Sequence, residues 1–539
     1  MKNKLLFILA LAGLGGTAFA QAPSLGTAAG FVLFSSNGAV SNTGISQLTG
    51  NVGTNSGSST AFGNVNGVMH DNDGASAQCS ADLLLAYNQL NAAVPTFFPA
   101  SLLGNGQVLV PGVYSISGAA TLNLDLTLNA QNDSNAVFIF QIQGTLSANA
   151  GSKIRLSNGA LACNVFWKVE GAVNMASGTF MRGTVIANNA AISLSAGDTL
   201  EGRAFSTTGA VSVDGVLAYT PVGCGSPVLT GPAAPPLGAA ACYAIFSSDG
   251  AVSNTGITYV TGDVGSNNGS VSGYNPLYVT GTIHAVPDGS TAQCAADLLV
   301  AYNYVNVLPY EIELLYPAQF GKNLVLTPHT YLMNGAATFT DTLYLNAQGN
   351  ANAVFVIQVN GALSTSTYSK VVLINGAQAD NVYWKVEGAV SISDYSVFCG
   401  TIICNNGALG AINTGVTLNG RALTTAGALS GAAMTAVAGS IPSNCGTVGI
   451  ASPAGSSGAV TIWPNPFSTS LALVLEEASP VNRCELQVYD VLGAVVMHAV
   501  LTQRSTRLET GHLPSGVYFY KITGSDDQTM RSGKLIAQQ

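Results

Sequence analysis

Phe34 to Gly53, FSSNGAVSNTGISQLTGNVG, returns at Phe246 as FSSDGAVSNTGITYVTGDVG, with 15 of 20 positions identical. A copy this faithful at long range means a duplicated domain, so whatever the fold is, it is built twice. Further landmarks follow in the same order. AQCSADLLLAYNQL (Ala77 to Leu90) pairs with AQCAADLLVAYNYV (Ala292 to Val305), NVFWKVEGAV with NVYWKVEGAV, and LEGRAFSTTGAVS with LNGRALTTAGALS. The offset between copies grows only from 212 residues at Phe34 to 221 at Cys224. These landmarks carry Ser, Thr, Asn and Gly and little that could act as acid, base or nucleophile.

Only 8% of the 539 residues are charged and 47% are hydrophobic, against about 25% charged in an ordinary soluble protein. That combination argues against a disordered acidic chain. The net charge of -9 argues against nucleic acid as a partner and against adsorption to anionic membranes, because both need clustered Lys and Arg. At the N-terminus, Lys2 and Lys4 precede an apolar run that ends in Ala18, Phe19, Ala20. This reads as a secretory signal peptide over residues 1–20, cleaved to leave Gln21. No other apolar run reaches the roughly 18 to 20 residues of a membrane span, so the mature chain is expected outside the cell, free or surface-attached.

Nine cysteines allow disulfides with at least one thiol left over. Cys79 and Cys294 are equivalent, as are Cys224 and Cys445, so a repeated Cys79 to Cys224 and Cys294 to Cys445 bridge is one reading and buried free thiols the other. Cys163 faces Asp380 in the alignment and cannot hold a shared bridge. No C-x-x-C occurs and the five histidines are scattered, which argues against zinc or any other cofactor.

Leu122, Leu124, Leu126 and Leu128 alternate with polar residues, the period of a strand with one buried face. Short strands of this kind recur between Gly, Asn and Ser turns, consistent with a β-solenoid, sandwich or barrel. Ala77 to Leu90 departs from the pattern: Leu83, Ala86, Tyr87 and Leu90 share one face of a helix. Ser226 to Ala240 holds four prolines and no charge, as a linker would. The last 81 residues hold 13 charges against 30 in the preceding 458, which marks a separate module, read as a small β-sandwich. The expected organisation is a signal peptide at 1–20, domain 1 at 24–225, a Pro-rich linker at 226–241, domain 2 at 242–446, a Gly/Ser linker at 447–458 and a tail module at 459–539.

The ordered landmarks, with PGVY (Pro111 to Tyr114) and NAVFIFQI, resemble the DUF3494 ice-binding proteins. Domain 2 departs in having TPHTYL (Thr327 to Leu332) where domain 1 has VPGVYS, and in an altered stretch from Val307 to Gln319. The tail, with WPNPF (Trp463 to Phe467), VYDVLGAVV, LPSGVYFYKI and GKLI, resembles the type IX secretion C-terminal sorting domain. The first resemblance implies a mainly β protein with two irregular three-sided β-helix domains, each with one long helix packed alongside. It also implies an ice crystal surface as partner, bound through one flat face by a monomer. The second implies the type IX secretion machinery as partner and a location outside the cell or on its surface.

Ice offers no charge to grip, so affinity must come from a flat, rigid face of short side chains that orders water. Strands stacked about 4.7 to 4.9 Å apart supply such a ladder. The T-A/G-x-T/N pattern of the family matches Thr255 to Thr258 and Thr414 to Thr417, with Thr43 to Ser46 as a near match. The candidates are therefore Thr255, Thr258, Thr414, Thr417, Thr43 and Ser46, joined by Thr207, Thr208, Thr424 and Thr425 after the Arg203 and Arg421 strands. Thr and Gly at solenoid corners also simply make turns. Arg203, Arg421, Trp167 and Trp384 read as structural, and Lys168, Glu170, Lys385 and Glu387 as a solvated strand edge. A glycan-binding adhesin or a stiff spacer is the alternative reading. Catalysis is disfavoured, because the acidic residues of one copy lack the paired carboxylates that glycan cleavage needs.

Overall fold

The computed structural model describes residues 21–224, 226, 228–443, 445, 460–475, 484–523 and 529–538. The expected signal peptide at 1–20 and the expected Gly/Ser linker at 447–458 lie outside the described residues. The chain divides into a unit that ends at Gly446 and a second that begins at Thr447.

In each copy the strands pair in parallel and climb as coils with three sides. One side is an eight-stranded sheet of two to four residues per strand. The other two sides form a larger sheet, because some strands run along one side, bend and continue along the next. Phe180–Ala187 pairs at Phe180 with Lys153 and, further on, at Thr184 with Phe166. Glycine permits that bend. A Cβ on Gly202 would lie 1.9 Å from the carbonyl oxygen of Gly183, directly beneath it in the stack. The inward residues of all three sides meet in one core, where Phe140 stacks on Trp167 with ring centroids 3.9 Å apart. In copy 2, Trp384 packs against Phe398 and Phe320 instead.

The helix spans Gly74–Ala92 (α1), and its counterpart spans Gly289–Val307 (α2). Asp73 and Ser76 form a reciprocal capping box, as do Asp288 and Thr291, which starts each helix ahead of the apolar spacing that predicts it. Cys79, Leu83, Ala86 and Leu90 recur at helical spacing and pack on Phe34, Ile139, Phe166, Ile186 and Phe205, a second apolar layer outside the coils. At the far end, where helix carbonyls run out of i+4 partners, Gln141 Nε2 donates to the carbonyl of Leu90 (2.8 Å), which also accepts from Ala93 N (3.4 Å), and to that of Ala93 (2.7 Å). Gln358 does the same for Val305 and Leu308. Gln141→Leu is therefore expected to cost about 1–3 kcal/mol through the two lost hydrogen bonds, measured by urea unfolding. The helix of copy 2 keeps its length, and the altered stretch falls after it, where a short strand at Ile312–Glu313 and a 3-10 turn at Pro317–Gln319 appear.

The expectation of a solvated edge fails at Lys168 and Lys385, which are 1% and 4% exposed. Lys168 Nζ pairs with Glu170, which also accepts from the Tyr87 hydroxyl (2.7 Å) and Asn188 Nδ2 (2.7 Å). Lys385, Glu387, Tyr302 and Asn405 repeat the arrangement. The helix lies over this side, so the lysine stem is buried and the charge is answered locally, which a strand pattern alone cannot reveal. Burial would raise the Glu170 carboxyl, but hydrogen bonds from Lys168, Asn188 and Tyr87 outweigh it and hold the group below its ordinary value. Tyr87 is pushed up to about 12 by burial and by Glu170.

The disulfides correct the repeated pairing. Cys224 bonds Cys163, while its equivalent Cys445 bonds Cys242. Cys79 and Cys294 are buried free thiols packed under their helices, the other of the two readings that the sequence leaves open. Duplication kept one cysteine of each bridge and moved its partner.

The two copies abut end to end. Gln47 Nε2 donates to the Lys322 carbonyl (2.7 Å), Asn64 exchanges hydrogen bonds with the Tyr316 backbone, and Asn66 bonds Thr327 Oγ1 (3.0 Å) and accepts from the Tyr331 hydroxyl (2.7 Å). Thr327 and Tyr331 belong to the TPHTYL departure, which thus builds the seam. The Pro-rich linker is itself held against copy 2, with Val354 N donating to the Thr230 carbonyl (2.9 Å) and Asn350 Nδ2 to that of Leu229 (3.0 Å).

The second unit holds a three-stranded and a four-stranded antiparallel sheet. Phe467, Leu471, Leu486, Val488, Tyr520 and Ile522 are among the residues of its core.

Candidate functional site

Alternation along each strand sends one set of side chains into the core and the other outward, so parallel register turns outward residues into files running along the coils. On the eight-stranded side of copy 1, register places Thr121, Ser147, Asn174, Ser193, Ser212 and Ser41 in one file, ending at Thr60. Copy 2 repeats it with Thr338, Ser364, Ser391 and Ala411, then Ser430, Ser253 and Ser272 beyond a bulge at Ala411. Between the outward residues stand buried Val, Leu and Ile, which fix the ladder from beneath. Several hydroxyls reach along the file to each other, as Ser193 to Ser212 (3.1 Å) and Thr121 to Ser147 (3.2 Å). Among the strands of these two sheets Asp214 is the one ionisable residue.

The other two sides differ. One lies under the helix. The remaining side of copy 1 carries Arg155 paired with Asp125 (2.6 Å) and Arg182 with Glu201 (2.7 Å). In copy 2 that side presents Lys370 and Tyr344 in place of a file of short residues, and the exposed rings of Tyr368 and Tyr395 stack at its corner, 5.2 Å apart. Among the described residues no group of His, Cys, Asp and Glu is assembled to hold a metal. No helix there is long and apolar enough to cross a membrane.

The candidate residues fall into three places. Thr43 and Thr255 end strands of the eight-stranded side, and Thr414 stands at the corner beside it; all three are exposed. Thr417 opens the strand on the next side, half-buried, and Ser46 turns the same corner with its hydroxyl engaged by Asn42 Oδ1 and Val216 N. Thr258 is 4% exposed and donates to Asn254 Oδ1 (2.6 Å), so it does not reach the surface. Thr424 is fully buried and donates to the Gly407 and Ala426 carbonyls. Thr207 and Thr425 bond Asn188 and Asn405 and complete the clamps under the helices, while Thr208 is exposed at the turn that follows. The T-G-x-T motif is therefore a corner, with its first threonine outward and its last buried or half-buried.

The serine file escaped the sequence reading because serine is an ordinary strand residue. The signal was the recurring triplet of an apolar residue, Ser and a second inward residue: VSN, VSV, ISL and LSA in copy 1, VSI and LST in copy 2.

Models of known families match this architecture. The model for ice-binding-like domains matches residues 34–217 and 246–435, and that for the secretion system C-terminal sorting domain matches 461–538. An ice-binding protein of Nostoc sp. (strain HG1) is 38% identical over 194 residues, 35% of this chain and 71% of that protein. Ice-binding protein K3-B1 of Typhula ishikariensis is 33% identical over 215 residues, 35% of this chain and 86% of that protein. The crystal structure of an ice binding protein from an Antarctic bacterium of the Flavobacteriaceae superposes with a TM-score of 0.76 at 59% identity, covering 77% of this chain and 98% of that one. None of these relatives is described as an adhesin, so the glycan-binding alternative finds no support. Two coiled, parallel copies, each matched over nearly its whole length, make this chain a member of the ice-binding-like family, with its domains in tandem and a secretion system sorting domain behind them.

Proposed function

We propose that the chain is an exported protein that adsorbs to ice through its two eight-stranded sides and so restrains ice growth and recrystallisation, with no catalytic step. The observation that carries this is the file of one short outward residue per coil on a sheet whose strands hold a single ionisable residue. Packed strands hold the file straight, and short hydroxyls lose little rotamer entropy when water orders against them. Thr43, Thr255 and Thr414 flank the file at its edge.

The seam extends the same reading. Gln47 and Asn64, at the corner joining the two open sides of copy 1, sit on Tyr316 and Lys322 at the corresponding corner of copy 2. Each open side therefore continues from one copy into the next, and a monomer offers ice one long platform. Two sites already aligned bind as one without waiting for a linker to bring the second into place.

Thermal hysteresis and recrystallisation assays of the secreted chain test the proposal, with ice shaping expected at micromolar protein. Behaviour indistinguishable from buffer would sink it. Gln47→Ala, Asn64→Ala and Asn66→Ala combined, which remove the side-chain hydrogen bonds named across the seam, are expected to lower hysteresis while each copy keeps its circular dichroism; unchanged hysteresis would mean that the copies act separately.

A further inference from the structure

The duplicated arginine meets two different surroundings. In copy 2 Arg421 faces the carboxylate of Asp380 (3.5 Å), whose other oxygen accepts from Ser440 N (2.7 Å) and Oγ (2.6 Å). In copy 1 the place of Asp380 is taken by Cys163, bonded to Cys224. Arg203 is 5% exposed there and donates from Nε (3.0 Å) and Nη2 (2.8 Å) to the Ala29 carbonyl and from Nη1 (3.3 Å) to Thr184 Oγ1. Those acceptors are neutral. A guanidinium carries five donors, so N–H groups remain beyond the three bonds named. Burial alone pushes Arg203 down to about 10.

Beside Arg203 lies a cavity of roughly 550 Å³, walled by Leu25, Phe166, Val222 and Leu229. That volume falls within the range of small-molecule sites, which pair apolar walls with a few fixed polar groups. A buried cation without a counter-charge favours an anion, and a planar fork of donors favours a carboxylate.

We propose that this cavity binds a short aliphatic monocarboxylate, its carboxylate on Arg203 as Asp380 is on Arg421, its hydrocarbon tail against Phe166, Val222 and Leu229. The site is separate from the serine files and stands whether or not those bind ice.

Saturation-transfer NMR on the full-length protein with sodium acetate, butyrate and hexanoate tests it. Saturable binding is expected to tighten about fourfold per buried methylene, and hexanoate is expected to bind at least about tenfold more tightly than hexanol through its charge-assisted hydrogen bonds. Cys163→Asp with Cys224→Ser installs the internal carboxylate of copy 2 and is expected to abolish hexanoate binding; Arg203→Gln should do the same. No hexanoate signal in the unmodified protein, or equal affinity for hexanol, would overturn the proposal without recourse to any variant. So would undiminished binding in the folded double variant at Cys163 and Cys224.

Discussion

Ser193→Tyr combined with Ser391→Tyr is expected to bring thermal hysteresis close to that of buffer while leaving the unfolding temperature nearly unchanged. Both serines lie mid-file, flanked by paired strands on either side, and both point outward, so a phenol ring there stands proud of the sheet without entering the core. A rigid crystal cannot mould itself around the ring, and contact with the neighbouring rungs is lost with it. Either substitution alone leaves one copy intact and is expected to give an intermediate value. Thr127→Tyr, on the side that carries Arg155 and Asp125, serves as the control and should leave hysteresis unaltered. Equal losses from Thr127→Tyr and the serine pair would place the binding face elsewhere. A tyrosine in place of Thr258 would be uninformative, because that buried hydroxyl supports Asn254 and a large ring there would disrupt the corner itself.

The second large effect concerns the clamp beneath each helix. Glu387→Ala removes the carboxylate that answers Lys385 and strips a partner from Tyr302 and Asn405. Leaving a buried ammonium without its counter-charge is expected to cost about 3–5 kcal/mol, whereas Lys385→Met with Glu387→Gln should recover most of that loss. Denaturant unfolding of the three proteins measures both. The same groups set the acid response. Burial opposes ionisation of Glu170 and Glu387, yet their hydrogen bonds win and lower both carboxyls in the folded state. Their contribution is therefore fully present above the ordinary glutamate value of 4.5 and is lost as pH falls through the lower folded value. Asp198 runs the other way: burial pushes it up to about 6, so its contribution is fully present below the ordinary aspartate value and is lost as pH rises through about 6. Glu170→Gln with Glu387→Gln should flatten the acid limb of a melting-temperature profile; a limb as steep as before would assign it to other groups.

Much of this architecture was legible in the chain. Leu122, Leu126 and Leu128 disclosed strands with one buried face, and the spacing of Leu83, Ala86 and Leu90 disclosed the helix, since both patterns are local; the expected single strand is in fact two, Ala120–Asn123 and Asp125–Asn129, and the corner between them leaves Leu124 61% exposed at a φ of 55°. What could not be read were facts that depend on which coil lies above which. Lys168 looks like a surface residue until a helix is laid over it. Thr258 and Thr255 look alike until the corner turns one inward and leaves the other out. Ser193 and Ser212, 19 residues apart, become neighbours only through strand register. Of the two readings of the cysteines, the repeated bridge failed for the same reason, while that of buried free thiols holds for Cys79 and Cys294: equivalence between copies says which residues correspond, and nothing about which sulfurs meet.

A stack of parallel coils has two raw ends, each a row of unpaired backbone amides and carbonyls that could template pairing with another molecule. At the seam between the copies, one raw end of each is covered by the other, with Gln47, Asn64 and Asn66 answering backbone and side-chain groups across it. The tandem thus exposes half as many sticky termini as two separate copies would. A tandem therefore bares no more raw ends than a single copy does while carrying twice the face, and cutting the chain at the seam would bare two further ends able to template self-association.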